Sequence, residues 1–200
     1  MNGISRESER MSFLVDDLLL LARLDEGRPL AQEPVPLHEV VGEAIETAHA
    51  VDPDRPIDAD IDAAVVLGDR DRLRQVVDNL LANVRAHTPG GSPAQVRLHC
   101  LDDVAVLEVS DSGPGMGEEE AAHAFERFYR ADPSRARASG GAGLGLSIVG
   151  AVTEAHGGNA SVISVRGEGA TFRIELPLAR TDGTHSPDTE RSQVVEAPLT

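Results

Sequence analysis

Aromatic residues are scarce: Trp is absent, Tyr occurs once and Phe four times in 200 residues. Any core must therefore be aliphatic. Cys100 is the single cysteine, which excludes a disulfide framework and a cysteine metal site. It lies in an apolar alternation and reads as a core residue. Positive charge is also short, with 18 Lys and Arg against 34 Asp and Glu and a net charge of −16. That balance argues against nucleic acid as a partner. An acidic chain that binds a nucleotide must gather positive potential locally. No run of eighteen apolar residues occurs and no signal peptide opens the chain. The expectation is a soluble, cytoplasmic chain of one domain with appendages.

Residues 3–26 read as one long helix. Ile4, Met11 and Leu18 repeat every seven residues, and Leu14 and Leu21 form the second line of an a/d seam. Val15, Leu19, Leu20 and Ala22 widen that face beyond a two-helix seam. Either partner helices come from elsewhere, or the helix packs on its own domain. Gly27–Pro36 reads as a Pro-bearing linker. An amphipathic helix follows from Leu37 to about His49, then short strand candidates at Ile57–Asp60 and Ala64–Leu67. A strong helix spans about Arg72 to His87, with Leu73, Val76, Val77, Leu80, Leu81 and Val84 inward. Ala94–Cys100 and Val104–Val109 alternate as a hairpin, and so do Ala160–Val165 and Thr171–Leu176. Short helices are expected at Glu118–Phe125 and Leu144–His156, with a loop between them. From Ala179 onward the chain is polar and unpatterned, which predicts disorder. The fold class is α+β: a two-layer sandwich of a mixed, mostly antiparallel sheet with helices on one face.

Four stretches carry chemistry. The strong helix places Asn79 and Asn83 on one face, four residues apart. Asp111-Ser112-Gly113-Pro114-Gly115-Met116-Gly117 forms a glycine-rich turn at a strand end. Phe125-Glu126-Arg127-Phe128-Tyr129-Arg130 follows. Gly140-Gly141-Ala142-Gly143-Leu144-Gly145-Leu146 packs four glycines into six residues and then opens an apolar helix. Glycines this dense let the backbone approach a ligand, and the helix start presents free N–H groups. The stretch reads as a phosphate cradle or a flexible linker. It is neither a Walker loop nor a dinucleotide fingerprint.

In order and spacing these stretches resemble the N, G1, F and G2 boxes of the ATP-binding catalytic domain of sensor histidine kinases, over about residues 37–178. The Leu-rich stretch from Leu14 to Leu24 resembles the second helix of that family's dimerisation bundle. The resemblance implies ATP and Mg2+ as cofactors, with Asn83 as the magnesium ligand. An amide oxygen is a hard donor suited to that ion. It implies that Asn79 is the other polar nucleotide-site position and that Asp111 accepts from the adenine amino group. Gly113, Gly115 and Gly117 would let the turn pass under the base. Gly141, Gly143 and Gly145 would wrap the phosphates, with N–H groups of Leu144, Gly145 and Leu146 donating. Tyr129 and Arg130 would close the site, with Arg130 steadying charge during transfer and Asn79 assisting. Arg127, Arg135 and Arg137 add positive charge, and Phe125 and Phe128 anchor the loop. Read from residues alone, Asn79 is also a surface asparagine and Asp111 also a turn residue.

The sequence departs from the family at Ala86 and His87, where a lysine and a tyrosine usually stand; Arg85 or His87 is the available substitute. None of the seven histidines has the phospho-acceptor context, and His38-Glu39 instead opens a helix. The implied organisation is 1–26 bundle helix, 27–36 linker, 37–178 ATP-binding domain and 179–200 tail. The implied partners are a second copy through residues 3–26 once the bundle is complete, and a response-regulator receiver domain. The membrane enters only through upstream segments. The competing reading is a degenerate nucleotide-binding or dimerisation module without kinase activity.

Overall fold

The computed structural model describes residues 2–129 and 143–179. Helix α1 covers Asn2–Asp25, strand β1 Glu33–Pro36, α2 Leu37–Val51, β2 Ile57–Ile61, β3 Val65–Gly68 and α3 Arg70–His87. Strands β4 (Ala94–Leu101) and β5 (Val104–Asp111) precede α4 (Glu118–Ala122). Helix α5 (Gly145–Ala155) and strands β6 (Asn159–Val165) and β7 (Gly169–Pro177) complete the described chain. The main sheet has the order β2-β4-β5-β7-β6, and β1 and β3 form a separate two-stranded sheet. β2 runs parallel to β4, and every other pairing in the main sheet is antiparallel.

Alternation along the strands sends Val96 and Leu98, Leu107 and Val109, and Phe172 and Ile174 to one face. Helices α2, α3 and α5 cover that face, and their apolar stripes join the strands in one aliphatic core. On α3 the stripe is the expected Leu73, Val76, Val77, Leu80, Leu81 and Val84, all buried. Asp69 caps this helix, accepting from the N–H groups of Asp71 and Arg72 at 3.1 Å each. The opposite sheet face is polar, where Arg173 bridges Glu108 at 2.9 Å and Glu175 at 3.0 Å.

Helix α1 is amphipathic twice over. Leu20 and Leu21 are buried against the domain, with Leu14 and Leu24 half-buried beside them. Met11, Val15, Leu18 and Leu19 form an exposed stripe on another side. The apolar face too wide for one seam is thus divided: one part docks on the chain's own domain and one part stays open.

Several expectations are corrected. The second half of the 27–36 linker is strand β1, because Val35 pairs with Val66 and is buried. Cys100 is exposed, since burial along β4 ends at Leu98 and the last two residues of the strand lie open. The helix predicted over 118–125 stops at Ala122. The tail expected to be disordered lies outside the described residues from 180 onward, as does most of the loop before α5.

Candidate functional site

Asn79 and Asn83 stand on the outward shoulder of α3, beside the buried stripe, and both are half-buried. The first turn of α5 lies against Asn79: a Cβ on Gly145 would sit 3.7 Å from the Asn79 amide. Asn79 Nδ2 is buried and has no hydrogen-bond partner among the described residues. A buried amide donor left unpaired costs about 1–3 kcal/mol, so a ligand oxygen bound beside it would be favoured. The first intrahelical bond of α5 runs from Ile148 N–H to the Leu144 carbonyl at 2.9 Å. The N–H groups of Gly145, Leu146 and Ser147 precede it and are the orphan donors of that helix. Gly143, at φ +75°, turns the chain into the helix through the left-handed region. Asn79, Asn83 and an anion-seeking helix start therefore meet in one place.

Asp111 ends β5. Its Oδ1 accepts from Gly113 N–H at 2.8 Å, so the residue does cap its own turn. Its Oδ2 has no partner among the described residues and remains an acceptor for a ligand amino group. Gly113 is buried, and a Cβ there would press on Thr88 and the His87 carbonyl at the C-terminal end of α3. Asp111 and the asparagine helix are thereby brought to the same side of the domain.

Gly115 and Gly117 each have a local role in the turn. Gly115 has φ +62°, and a Cβ would collide with the Val165 carbonyl. Gly117 N–H donates to Glu120 Oε2 at 2.7 Å, at the start of α4. Together with Arg166, that bond holds the Glu120 carboxyl below the usual carboxylate range. Met116 N–H donates to Ser164 Oγ at 2.8 Å, and Gly167 N–H to the Pro114 carbonyl at 2.7 Å. These glycines seat the turn on the β6–β7 hairpin, so Ser164 and Arg166 are supports that no local motif announces.

The Phe125–Arg130 stretch splits in two. Phe125 packs edge-on against Phe172 with ring centres 6.5 Å apart. Phe128 is 60% exposed at φ +60°, so it does not anchor the segment. Arg127 pairs through both guanidinium ends with Asp25 at the end of α1, one contact being 2.7 Å. That guanidinium pulls the Asp25 carboxyl below its usual range. Tyr129 stacks obliquely on His123, with ring centres 5.4 Å apart. Glu126 Oε1 accepts from His123 Nδ1 at 2.6 Å, and that hydrogen bond raises the His123 pKa. Arg130, Arg135, Arg137 and Gly141 lie outside the described residues. Arg85, one expected substitute for the missing lysine, lines a cavity of about 220 Å³ between α2 and α3 with Asp52 and Asp78. His87 is exposed on the shoulder shared with Asn83.

The donor set fits the expected ligands. Among the described residues no cluster of three His, Cys, Asp or Glu side chains could hold a metal by itself. A single amide oxygen from Asn83 suits an ion that arrives already bound to phosphate oxygens and water, as Mg2+ does.

Arg55 is a further residue that sequence reasoning passed over. Buried at 4% exposure, it donates to Thr88 Oγ1 at 2.6 Å, to the Ser92 carbonyl at 2.9 Å and to Asp52 at 2.8 Å. It fixes the chain leaving α3 beside Gly113. A lone Arg in a stretch of turn residues gave no local sign of this.

Comparison with known proteins agrees with this geometry. Residues 68–180 match the family described as histidine kinase-, DNA gyrase B- and HSP90-like ATPases. The chain is 45% identical over 180 residues to the probable sensor histidine kinase TcrY of Mycobacterium tuberculosis, covering 89% of this chain and 38% of that protein. It is 38% identical over 185 residues to the histidine-protein kinase BaeS of Escherichia coli, covering 89% of this chain and 39% of that protein. The chain thus spans about two fifths of the length of these relatives. Among solved structures, the mycobacterial sensor histidine kinase MprB superposes with a TM-score of 0.67 at 33% identity, over 74% of this chain and 98% of that one. Full-length ShkA in complex with AMPPNP superposes with a TM-score of 0.72 at 30% identity, over 87% of this chain and 37% of that one. The chain therefore belongs to the family of histidine kinase-, DNA gyrase B- and HSP90-like ATPases.

Proposed function

We propose that the chain is the catalytic part of a sensor histidine kinase, binding Mg-ATP and directing the γ-phosphoryl group to a histidine on a bundle helix. The observation that carries this reading is the unpaired Asn79 amide donor buried against the first turn of α5. Bound ATP supplies the transferable phosphoryl group. Asp111 Oδ2 accepts from the adenine amino group and so disfavours guanine, which presents an oxygen there. The N–H groups at the start of α5 receive phosphate charge, and the Asn83 oxygen takes one position on the magnesium ion. Arg130 steadies charge as the phosphoryl group moves. Asn79 is an amide where gyrase-type ATPases place a glutamate base, which favours transfer to a protein group over water activation. The AMPPNP in the ShkA complex supports the nucleotide assignment by analogy.

The exposed stripe of Met11, Val15, Leu18 and Leu19 is the surface through which α1 joins a dimerisation bundle. The phosphoryl group passes from the acceptor histidine to a response-regulator receiver. In the full-length parent the domain lies on the cytoplasmic side of a membrane. Within the described residues, no helix is long and apolar enough to cross one.

Calorimetric titration with Mg-ATP tests the site. Wild type binds, Asp111→Ala abolishes binding, and Asn83→Ala removes its magnesium dependence. Labelling of a separate bundle bearing the acceptor then tests the transfer. Binding without any labelling in trans would favour the inactive-module reading.

A further inference from the structure

His156 takes no part in the site just described, yet it is buried at 8% exposure. It stands at the C-terminal end of α5. Its Nδ1 lies 2.7 Å from the Val152 carbonyl, and its Nε2 lies 3.0 Å from the Asp69 N–H. A carbonyl only accepts and an N–H only donates. Nδ1 therefore donates to the Val152 carbonyl, and Nε2 accepts from the Asp69 N–H. A Cβ on Gly68 would collide with the ring's Cδ2 and Nε2, so the chain entering α3 is cut to admit an imidazole.

Asp69 is the N-cap of α3, whereas Gly145, at the start of α5, lies against Asn79. The two helices are therefore antiparallel. Ten residues separate Asp69 from Asn79, and eleven separate Gly145 from His156. At about 1.5 Å per residue these are nearly equal lengths of helix, close to 15 Å and 17 Å. The pair forms a frame with the nucleotide site at one end and the histidine bond at the other. Between them Leu73, Val76, Val77 and Leu80 meet Ile148, Val149 and Val152, all buried. Apolar attraction holds such helices together but has little directionality, whereas a hydrogen bond fixes a distance and an angle.

We propose that His156 is a positioning residue for nucleotide binding. Its bond to Asp69 sets the register of α5 against α3, and thereby the placement of the α5 start relative to Asn79 and Asn83. The proposal rests on the nucleotide site assigned above.

The test compares wild type, His156→Leu and His156→Gln by Mg-ATP calorimetry, at a temperature where circular dichroism shows each to be folded. Leucine fills the space without an acceptor, and glutamine restores an acceptor near the position of Nε2. With leucine, affinity falls about tenfold, because the helices hold the binding register about a tenth of the time. Glutamine recovers it to within about threefold. A second measurement needs no variant. ATP slows hydrogen exchange at the Asp69 amide in wild type, although that amide lies at the far end of the frame, because coupling is reciprocal. A folded leucine variant with wild-type affinity overturns the proposal, as does equal weakening by leucine and glutamine. If the leucine variant does not fold, unchanged Asp69 exchange on adding ATP to wild type overturns it. Wild type that binds no ATP removes the site assignment itself, and this proposal with it.

Discussion

Helices α5 and α1 both pack against the same domain, and they are held in opposite ways. α5 is fastened by buried groups: Leu144, Ile148, Val149 and Val152 in the core, and His156 at its end. α1 is fastened by Leu20 and Leu21 together with ties that water reaches. Arg127 and Asp25 are exposed by 40% and 55%, and Gln75 donates to a half-buried Asp17 at 3.1 Å. Desolvation of Asp17 raises its pKa, so that contact carries its own cost. Water and salt compete with exposed ion pairs and not with a closed apolar seam. The proposed nucleotide site is thus built on the fixed helix, and the proposed bundle surface on the separable one.

The sharpest way to break this contrast is to hollow each interface in turn. Ile148→Ala leaves a cavity in the core under α5 and lowers the domain's unfolding free energy by about 2–5 kcal/mol in urea titration. Leu21→Ala frees α1 instead of unfolding the domain. The main transition shifts by about 0.5 kcal/mol or less, while hydrogen exchange along the second half of α1 accelerates. Equal losses from the two variants would abolish the distinction.

Next in size is the ion pair. Asp25→Asn loosens the last turn of α1, seen as faster amide exchange, and removes most of the salt sensitivity of docking. The Asp25 pKa is depressed in the folded state. Its contribution is therefore present above the ordinary carboxylate pKa and is lost as pH falls through the depressed value. The smallest effect is expected at His123, whose folded pKa is raised by Glu126. That contribution is full below the ordinary histidine value and fades as pH rises through the raised one. An NMR titration reads it directly, and Glu126→Gln returns the histidine toward its ordinary value.

Much of the architecture was legible because its signals are local. The α3 stripe, the two hairpins and the order of the four site stretches depend on neighbours a few residues apart. The residues that escaped notice act over long separations. His156 bonds to a backbone 87 positions away, and Arg55 reaches the chain 33 to 37 positions on. Nothing adjacent to either one signals its partner. Cys100 misled because alternation reports which face a side chain occupies, not how far along the strand burial extends. Phe128 misled because an apolar residue after Phe125 suggests a second anchor, and the left-handed backbone there turns it outward. The expectations resting on Arg130 and Gly141 fall outside the described residues.

The two borders of the main sheet are guarded unequally. β2, the outermost strand on one side, carries Asp58 and Asp60 exposed along its length. Carboxylates on a border strand repel a neighbouring copy that would add itself as a sixth strand. β6, on the other side, exposes Ile163 and Val165 instead. In crowded solution the acidic border resists aggregation, and the aliphatic border is where a solubilising lysine would do most good.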